Sequence, residues 1–219
     1  MSLVENSAID ITRGYPRKFL RDIVMQGYKT PDMLLQGDNS CLRGVGIYQE
    51  DILEKLSALP LEREPVSTYR GKECPERRNF GFFSNAPEKY VYARKPVEPK
   101  PLHEHKFLEE LLLSVNTYLG TNFTGVVVSF YDNGTKYASP RSENSDALDD
   151  DTSAIMFFGA ARKFRIREKS TGESLIDHTQ KPGELLVMDG DFQDQFKTEI
   201  PQQKRIKDAM ISVLFVCPW

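Results

Sequence analysis

Apolar residues recur at Ile52, Leu53, Leu56 and Leu59 and stop at Pro60, a helical spacing that predicts a short amphipathic helix from about Gln49. A second helix is predicted where Phe107, Leu108, Leu111, Leu112, Val115, Tyr118 and Leu119 share one face and Gly120 closes the run. That face needs a sheet to pack on. After Gly125 the period shortens to that of strands: GVVVSFY, SAIMFF, the alternating ARKFRIREK, ELLVMD and AMISVLFV, with turn residues between them. The stretch from Glu62 to Pro101 is rich in Pro, Arg, Lys, Tyr and Phe around PERRNFGFF. It reads as strands and loops ending in the turn KPVEPKPL. Residues 1–30 hold no sustained period and read as a peripheral arm or partly mobile segment. Residues 31–219 form one domain without internal repeats. Several short strands preceded by two helices predict an α+β fold whose sheet closes as a two-sheet jelly roll.

Composition narrows the function classes. With 219 residues and 39% apolar content the chain can bury a core. Lys and Arg number 29 against 32 Asp and Glu, for a net charge of −3, so bulk charge does not drive it onto nucleic acid. No apolar run approaches the ~18 residues of a membrane-spanning helix, and MSLVENSAID lacks the order of a signal peptide. An intracellular protein, cytoplasmic or nuclear, is expected, with no membrane partner. Cys41, Cys74 and Cys217 are odd in number and form no CxxC, which fits reduced thiols and argues against a zinc knuckle. His103 and His105 flank Glu104; on a strand they would offer two metal ligands, but at a helix entry they are ordinary surface residues. His178 stands alone after a turn. Asp146, Asp149, Asp150 and Asp151 lack the glycine and spacing of a calcium loop and read as a solvated acidic segment.

From Pro75 onward the order of motifs resembles the AlkB family of Fe(II)- and 2-oxoglutarate-dependent dioxygenases. PERRNFGFF, the Tyr92 segment before Pro96 and Pro101, FTGVVVSFYDNG, IMFFGAARKFRIREK, KPGELLVMDGDFQDQFKTEIP and KRIKDAMISVLFV follow the family's order between Pro75 and Val216. The resemblance implies a double-stranded β-helix, which is the jelly roll predicted above, and oxidative removal of alkyl groups from nucleic-acid bases. Gly134, Gly159, Arg162, Phe164, Gly183, Met188 and Gln193 match its scaffold pattern.

The same resemblance locates the chemistry, and there the residues differ. Arg141 and Glu143 stand where the family has the His-x-Asp pair of its iron site, and Thr198, five residues after Gln193, stands at the distal histidine. A guanidinium stays protonated and has no lone pair for a metal. Met210 and Val216 occupy the two positions where the family's arginines hold 2-oxoglutarate, and Ser129-Phe-Tyr131 replaces an Asn-x-Tyr pair that touches it. Losing a buried arginine–carboxylate contact costs roughly 3–5 kcal/mol. The expectation is a pseudoenzyme that has lost Fe(II) and 2-oxoglutarate and has no catalytic residues. In it, Arg141 takes the place of the missing cation, pairs with Glu143 and draws Thr198 into its hydrogen-bond shell.

Surface candidates remain. Strand alternation sets Lys163, Arg165 and Arg167 on one face, Phe164 and Ile166 on the other; with Arg162 the basic residues would suit phosphates, or form an ordinary charged outer face. Arg77, Arg78, Phe80, Phe82 and Phe83 fall in the lid-like segment 62–101, where rings would stack on bases or pack in the core. The leading expectation is a catalytically inactive binding or structural module, its partner nucleic acid or protein and its oligomeric state open. The alternative is an active nucleic-acid dioxygenase with relocated ligands drawn from Glu143, Asp146, Glu199 or His178.

Overall fold

A computed structural model describes residues 32–37, 40–46, 52–69, 72–92, 95–142 and 152–218. The predicted arm, Glu143 and Asp146, Asp149, Asp150 and Asp151 lie outside these residues.

Two sheets face each other. The larger runs β1 (Asp32–Gly37), β2 (Ser40–Gly46), β14 (Glu184–Gly190), β11 (Ser153–Gly159), β16 (Met210–Val216), β9 (Gly125–Tyr131), β5 (Asn79–Ser84) and β8 (Lys100–Pro101). The smaller runs β10 (Ala138–Arg141), β15 (Phe196–Ile200), β12 (Lys163–Glu168) and β13 (Ser174–Thr179). Two further antiparallel pairs are β3 (Val66–Tyr69) with β4 (Lys72–Pro75), and β6 (Tyr90–Tyr92) with β7 (Lys95–Val97). Sequence neighbours pair rarely within the larger sheet, and that crossing order is the jelly roll.

Strand alternation divides the core in two. On β16, Ile211, Val213 and Phe215 face one side, where they pack with Val126 and Val128 of β9 and with the helices. Those helices are α1 (Ile52–Ser57), through Ile52 and Leu56, and α2 (Lys106–Leu119), through Leu108, Leu111, Leu112 and Val115. Gly120 ends α2 at φ 70°, the left-handed conformation that lets its N–H reach the Asn116 carbonyl at 2.8 Å. Met210, Leu214 and Val216 face the other side, between the sheets, with Val127, Phe157, Phe164, Ile166 and Met188. A third helix, α3 (Phe192–Gln195), is a single turn, too short for hydrophobic spacing to reveal it.

The scaffold residues earn their places physically. A Cβ on Gly134 would stand 1.9 Å from the Gln203 carbonyl oxygen, because the 133–136 turn and the 203–206 segment bond each other at close range (Gly134 N–H to Ile206 O, 2.9 Å; Gln203 N–H to Gly134 O, 2.8 Å). Arg162 ties the same two segments together. It donates to the carbonyls of Asn133 (3.3 Å), Lys136 (2.8 Å) and Pro201 (2.8 Å) and is wholly buried. It is therefore a structural clamp and presents nothing to a phosphate, contrary to its reading as a nucleic-acid contact.

Candidate functional site

Pairing of β10 with β15 sets Arg141 directly opposite Thr198, so two of the three positions compared with iron ligands do meet. They open onto a cavity of about 30 Å³ between the sheets. Its polar lining is Arg78, Ser129, Tyr131, Arg141, Thr198, Glu199 and Ser212, and Val127, Ile155, Phe164, Met188 and Leu214 are among its apolar wall. Ser129 and Ser212 are neighbours because β9 and β16 pair in that register.

A network of two guanidiniums and two phenols closes one side. Arg78, just before β5, donates from Nη1 to the Tyr131 hydroxyl at 2.9 Å and from Nη2 to the Tyr92 hydroxyl at 3.1 Å. Arg141 donates from Nη1 to the same Tyr92 oxygen at 2.6 Å, and its guanidinium lies 4.9 Å from the Tyr92 ring centroid. Arg78 sits 5.4 Å over that ring and 5.8 Å over Phe80. The Glu76 carboxylate stands 3.8 Å from Arg78 Nε. Burial works against the charge of Arg78, but Tyr131, Tyr92 and Glu76 outweigh it and push its pKa above the usual arginine range. Burial also raises the Tyr92 phenol, against the pull of Arg141 and Arg78.

The predicted Arg141–Thr198 contact takes another form. Thr198 Oγ1 lies 3.5 Å from the backbone carbonyl of Arg141, while the guanidinium reaches the Tyr92 hydroxyl; Glu143 lies outside the described residues. Met210, fully buried, faces Tyr131 across the β16–β9 pair, and Gln180 Nε2 approaches its Sδ at 2.9 Å. Val216 is buried at the far end of β16, opposite Gly125. Among the described residues no three His, Cys, Asp or Glu side chains converge. His103 bonds Asn85 at 3.0 Å at the entry to α2, His105 sets its edge on Phe83, and His178 bonds Glu184 at 2.8 Å.

The nucleic-acid candidates divide. Arg78 and Phe80 are 2% and 3% exposed and belong to the interior, so neither meets a partner on the surface; Arg77 is exposed. Phe82 and Phe83 are core residues as well. Lys163, Arg165 and Arg167 do share the outer face of β12, but each is matched. Asp177 accepts from Lys163 Nζ at 2.8 Å and from Arg165 at 2.5 and 2.9 Å. Glu199 accepts from Arg167 Nε at 2.9 Å and Arg165 Nη1 at 3.3 Å. Hydrogen bonds from Arg165, then Lys163, hold the Asp177 carboxyl far below the usual carboxylate range. Sequence reasoning missed Tyr92 as the hub and Asp177 and Glu199 as the neutralising partners. Asp177 stands directly opposite Arg165 in the β12–β13 register, a cross-strand pair that only the register discloses.

The two-sheet jelly roll with its cavity between the sheets is a double-stranded β-helix, the fold it shares with a solved AlkB-homologue structure. No family model matches the chain. It is 26% identical over 135 residues, 58% of its length, to the alpha-ketoglutarate-dependent dioxygenase alkB homolog 3 of Homo sapiens, and 25% identical over 150 residues to that of Rattus norvegicus. The matched stretch spans about half of these relatives, 47% and 50% of their lengths. The structure of OsALKBH1 superposes on 85% of this chain and 100% of that one, with a TM-score of 0.56 at 10% identity, a likeness of fold alone.

Proposed function

We propose that this chain is a catalytically inactive AlkB-like module that acts by binding, with a protein as its partner. The observation that carries the reading is the meeting of Arg78 and Arg141 on the Tyr92 hydroxyl beside the cavity where the resemblance would put iron. This donor set does not fit the implied metal. Among the described residues guanidiniums cannot ligate it, hydroxyls are weak ligands, the one lining carboxylate, Glu199, already pairs with Arg165 and Arg167, and a divalent ion about 4 Å from one guanidinium meets roughly 8 kcal/mol of repulsion at an effective dielectric of 20. Nor does it fit 2-oxoglutarate, because Met210 and Val216 are apolar and the cavity of about 30 Å³ is small beside the roughly 300–1,000 Å³ of small-molecule sites. A protein partner is favoured over nucleic acid because the basic face of β12 is matched by Asp177 and Glu199 and the chain carries net negative charge.

The test is direct. Purified protein with Fe(II), ascorbate and 2-oxoglutarate is expected to release no succinate above a metal-free control, and iron with 2-oxoglutarate is expected to leave Tm unchanged. Succinate formation would overturn the proposal.

A further inference from the structure

The loop from Pro201 to Asp208, which joins β15 to β16, is pinned from beneath and charged on top. Its base is held by Arg162 Nη2, which donates to the Pro201 carbonyl at 2.8 Å, and by the Lys163 N–H, which donates to Gln203 Oε1 at 2.7 Å. Gln202 Nε2 donates to the Thr135 carbonyl at 2.9 Å, and the backbones of Gln203 and Ile206 bond Gly134 at 2.8 and 2.9 Å. The Ile206 N–H then returns to the Gln203 carbonyl at 2.9 Å, closing a turn whose two corner residues are Lys204 and Arg205. Both are exposed, and neither side chain bonds a described residue. Lys207 is exposed too, with its Nζ 3.4 Å from the Lys204 carbonyl, and Asp208 is the single carboxylate of the loop. On the outer face of β12, by contrast, Asp177 and Glu199 match every cation.

From this contrast we propose that Lys204, Arg205 and Lys207 form a docking surface for an acidic segment of a partner protein, an extended stretch with carboxylates at alternate positions. The proposal rests on the binding reading above and supplies the chemistry of its partner. Charge selects the occupant: a guanidinium at a turn corner pairs with a carboxylate through two parallel bonds, and the flanking ammoniums accept carboxylates over a range of directions. Alternate side chains of an extended peptide stand about 6–7 Å apart, so successive carboxylates reach different cations of one turn. Because the turn backbone is already held by Arg162, Lys163, Thr135 and Gly134, docking has only side chains to order. Nucleic acid fits less well. Its binders make roughly 6–10 phosphate contacts, against three cations here, and the rings of Phe80, Phe82 and Phe83, which would stack on bases, are buried.

Fluorescence anisotropy at low salt with a labelled peptide of about eight residues, alternating Glu and Ser, tests the surface. Saturable binding is expected, weakening as salt rises, with none to the matching Gln and Ser peptide. Lys204→Gln or Arg205→Gln alone should weaken it roughly two- to fivefold, and both together with Lys207→Gln about tenfold or more. These side chains are exposed, so the triple variant should melt with its parent. A control triple that removes the same charge from other exposed positions, Lys72→Gln, Lys95→Gln and Lys181→Gln, should bind as the parent does. No binding by the unaltered protein, equal loss in both triples, or tighter binding of single-stranded DNA through the same three residues overturns the surface. A succinate assay on the same samples separates the two ideas: succinate formed while the peptide binds defeats only the inactive reading, and neither succinate nor peptide binding defeats only the docking surface.

Discussion

Tyr92 accepts hydrogen bonds from two arginines that come from opposite directions, Arg78 ahead of β5 and Arg141 at the end of β10. A wholly buried guanidinium such as Arg78 costs several kcal/mol in lost hydration unless hydrogen bonds and opposing charge replace it. Here two phenol oxygens, three aromatic faces and Glu76 do so. Tyr92→Phe keeps the ring but removes an acceptor from both arginines, and a buried donor left unmet costs about 1–3 kcal/mol. Its Tm should therefore fall by roughly 2–12 °C. Combining it with Arg141→Met should cost less than the sum of the single changes, since the two share one bond. A Tyr92→Phe melt within a degree of the parent would show that the network adds nothing to folding.

At the scale of elements, the smaller sheet depends on charge pairs across β12, β13 and β15 as well as on Phe164 and Ile166 beneath them. Asp177 titrates near 3.8 in the unfolded chain and far lower in the fold, where Arg165 and Lys163 hold it ionised. A depressed carboxyl contributes stability that is fully present above its unfolded pKa and is lost as pH falls toward the folded one. The protein should accordingly lose stability below about pH 4. Asp177→Asn should be less stable at neutral pH, with a shallower acid limb in the same chemical denaturation series. Parallel acid limbs would remove Asp177 from that role. Part of the element order was legible in the sequence, because α1, α2 and the strands β9, β11, β12, β14 and β16 carry their period openly and Gly120 marks a helix end, whereas β1, β2, β10, β13 and β15 are not among the strands that the pattern predicts. The site was legible only in part. The meeting of Arg141 with Thr198 follows from motif order, but Tyr92 reaches Arg141 across 49 positions, a contact no local pattern encodes. The basic run at 162–167 misled in a related way. Periodicity told which residues face outward, yet Arg162 precedes the strand and turns inward to three carbonyls, and the carboxylates that match Arg165 and Arg167 lie on other strands.

For the molecule as a whole, the deciding question is whether its surface can hold a polyanion. Binding to nucleic acid releases counterions in proportion to the phosphates neutralised, so it requires unmatched cations on one face. On the outer face of β12, three cations meet two carboxylates, within a chain of net charge −3. Single-stranded DNA should therefore bind the unaltered protein more weakly than the ~10⁻⁴ to 10⁻⁶ M of ordinary non-specific binders at physiological salt. Asp177→Asn with Glu199→Gln retains the hydrogen-bonding shapes while exposing Lys163, Arg165 and Arg167. Fluorescence anisotropy should then report new affinity that declines steeply as salt rises. If the unaltered protein already binds with such a slope, the cations lie elsewhere, and the exposed Lys204, Arg205 and Lys207 become the first residues to neutralise. If the double variant binds no better than its parent, charge matching on β12 is not what keeps nucleic acid away, and the shape of the face must be.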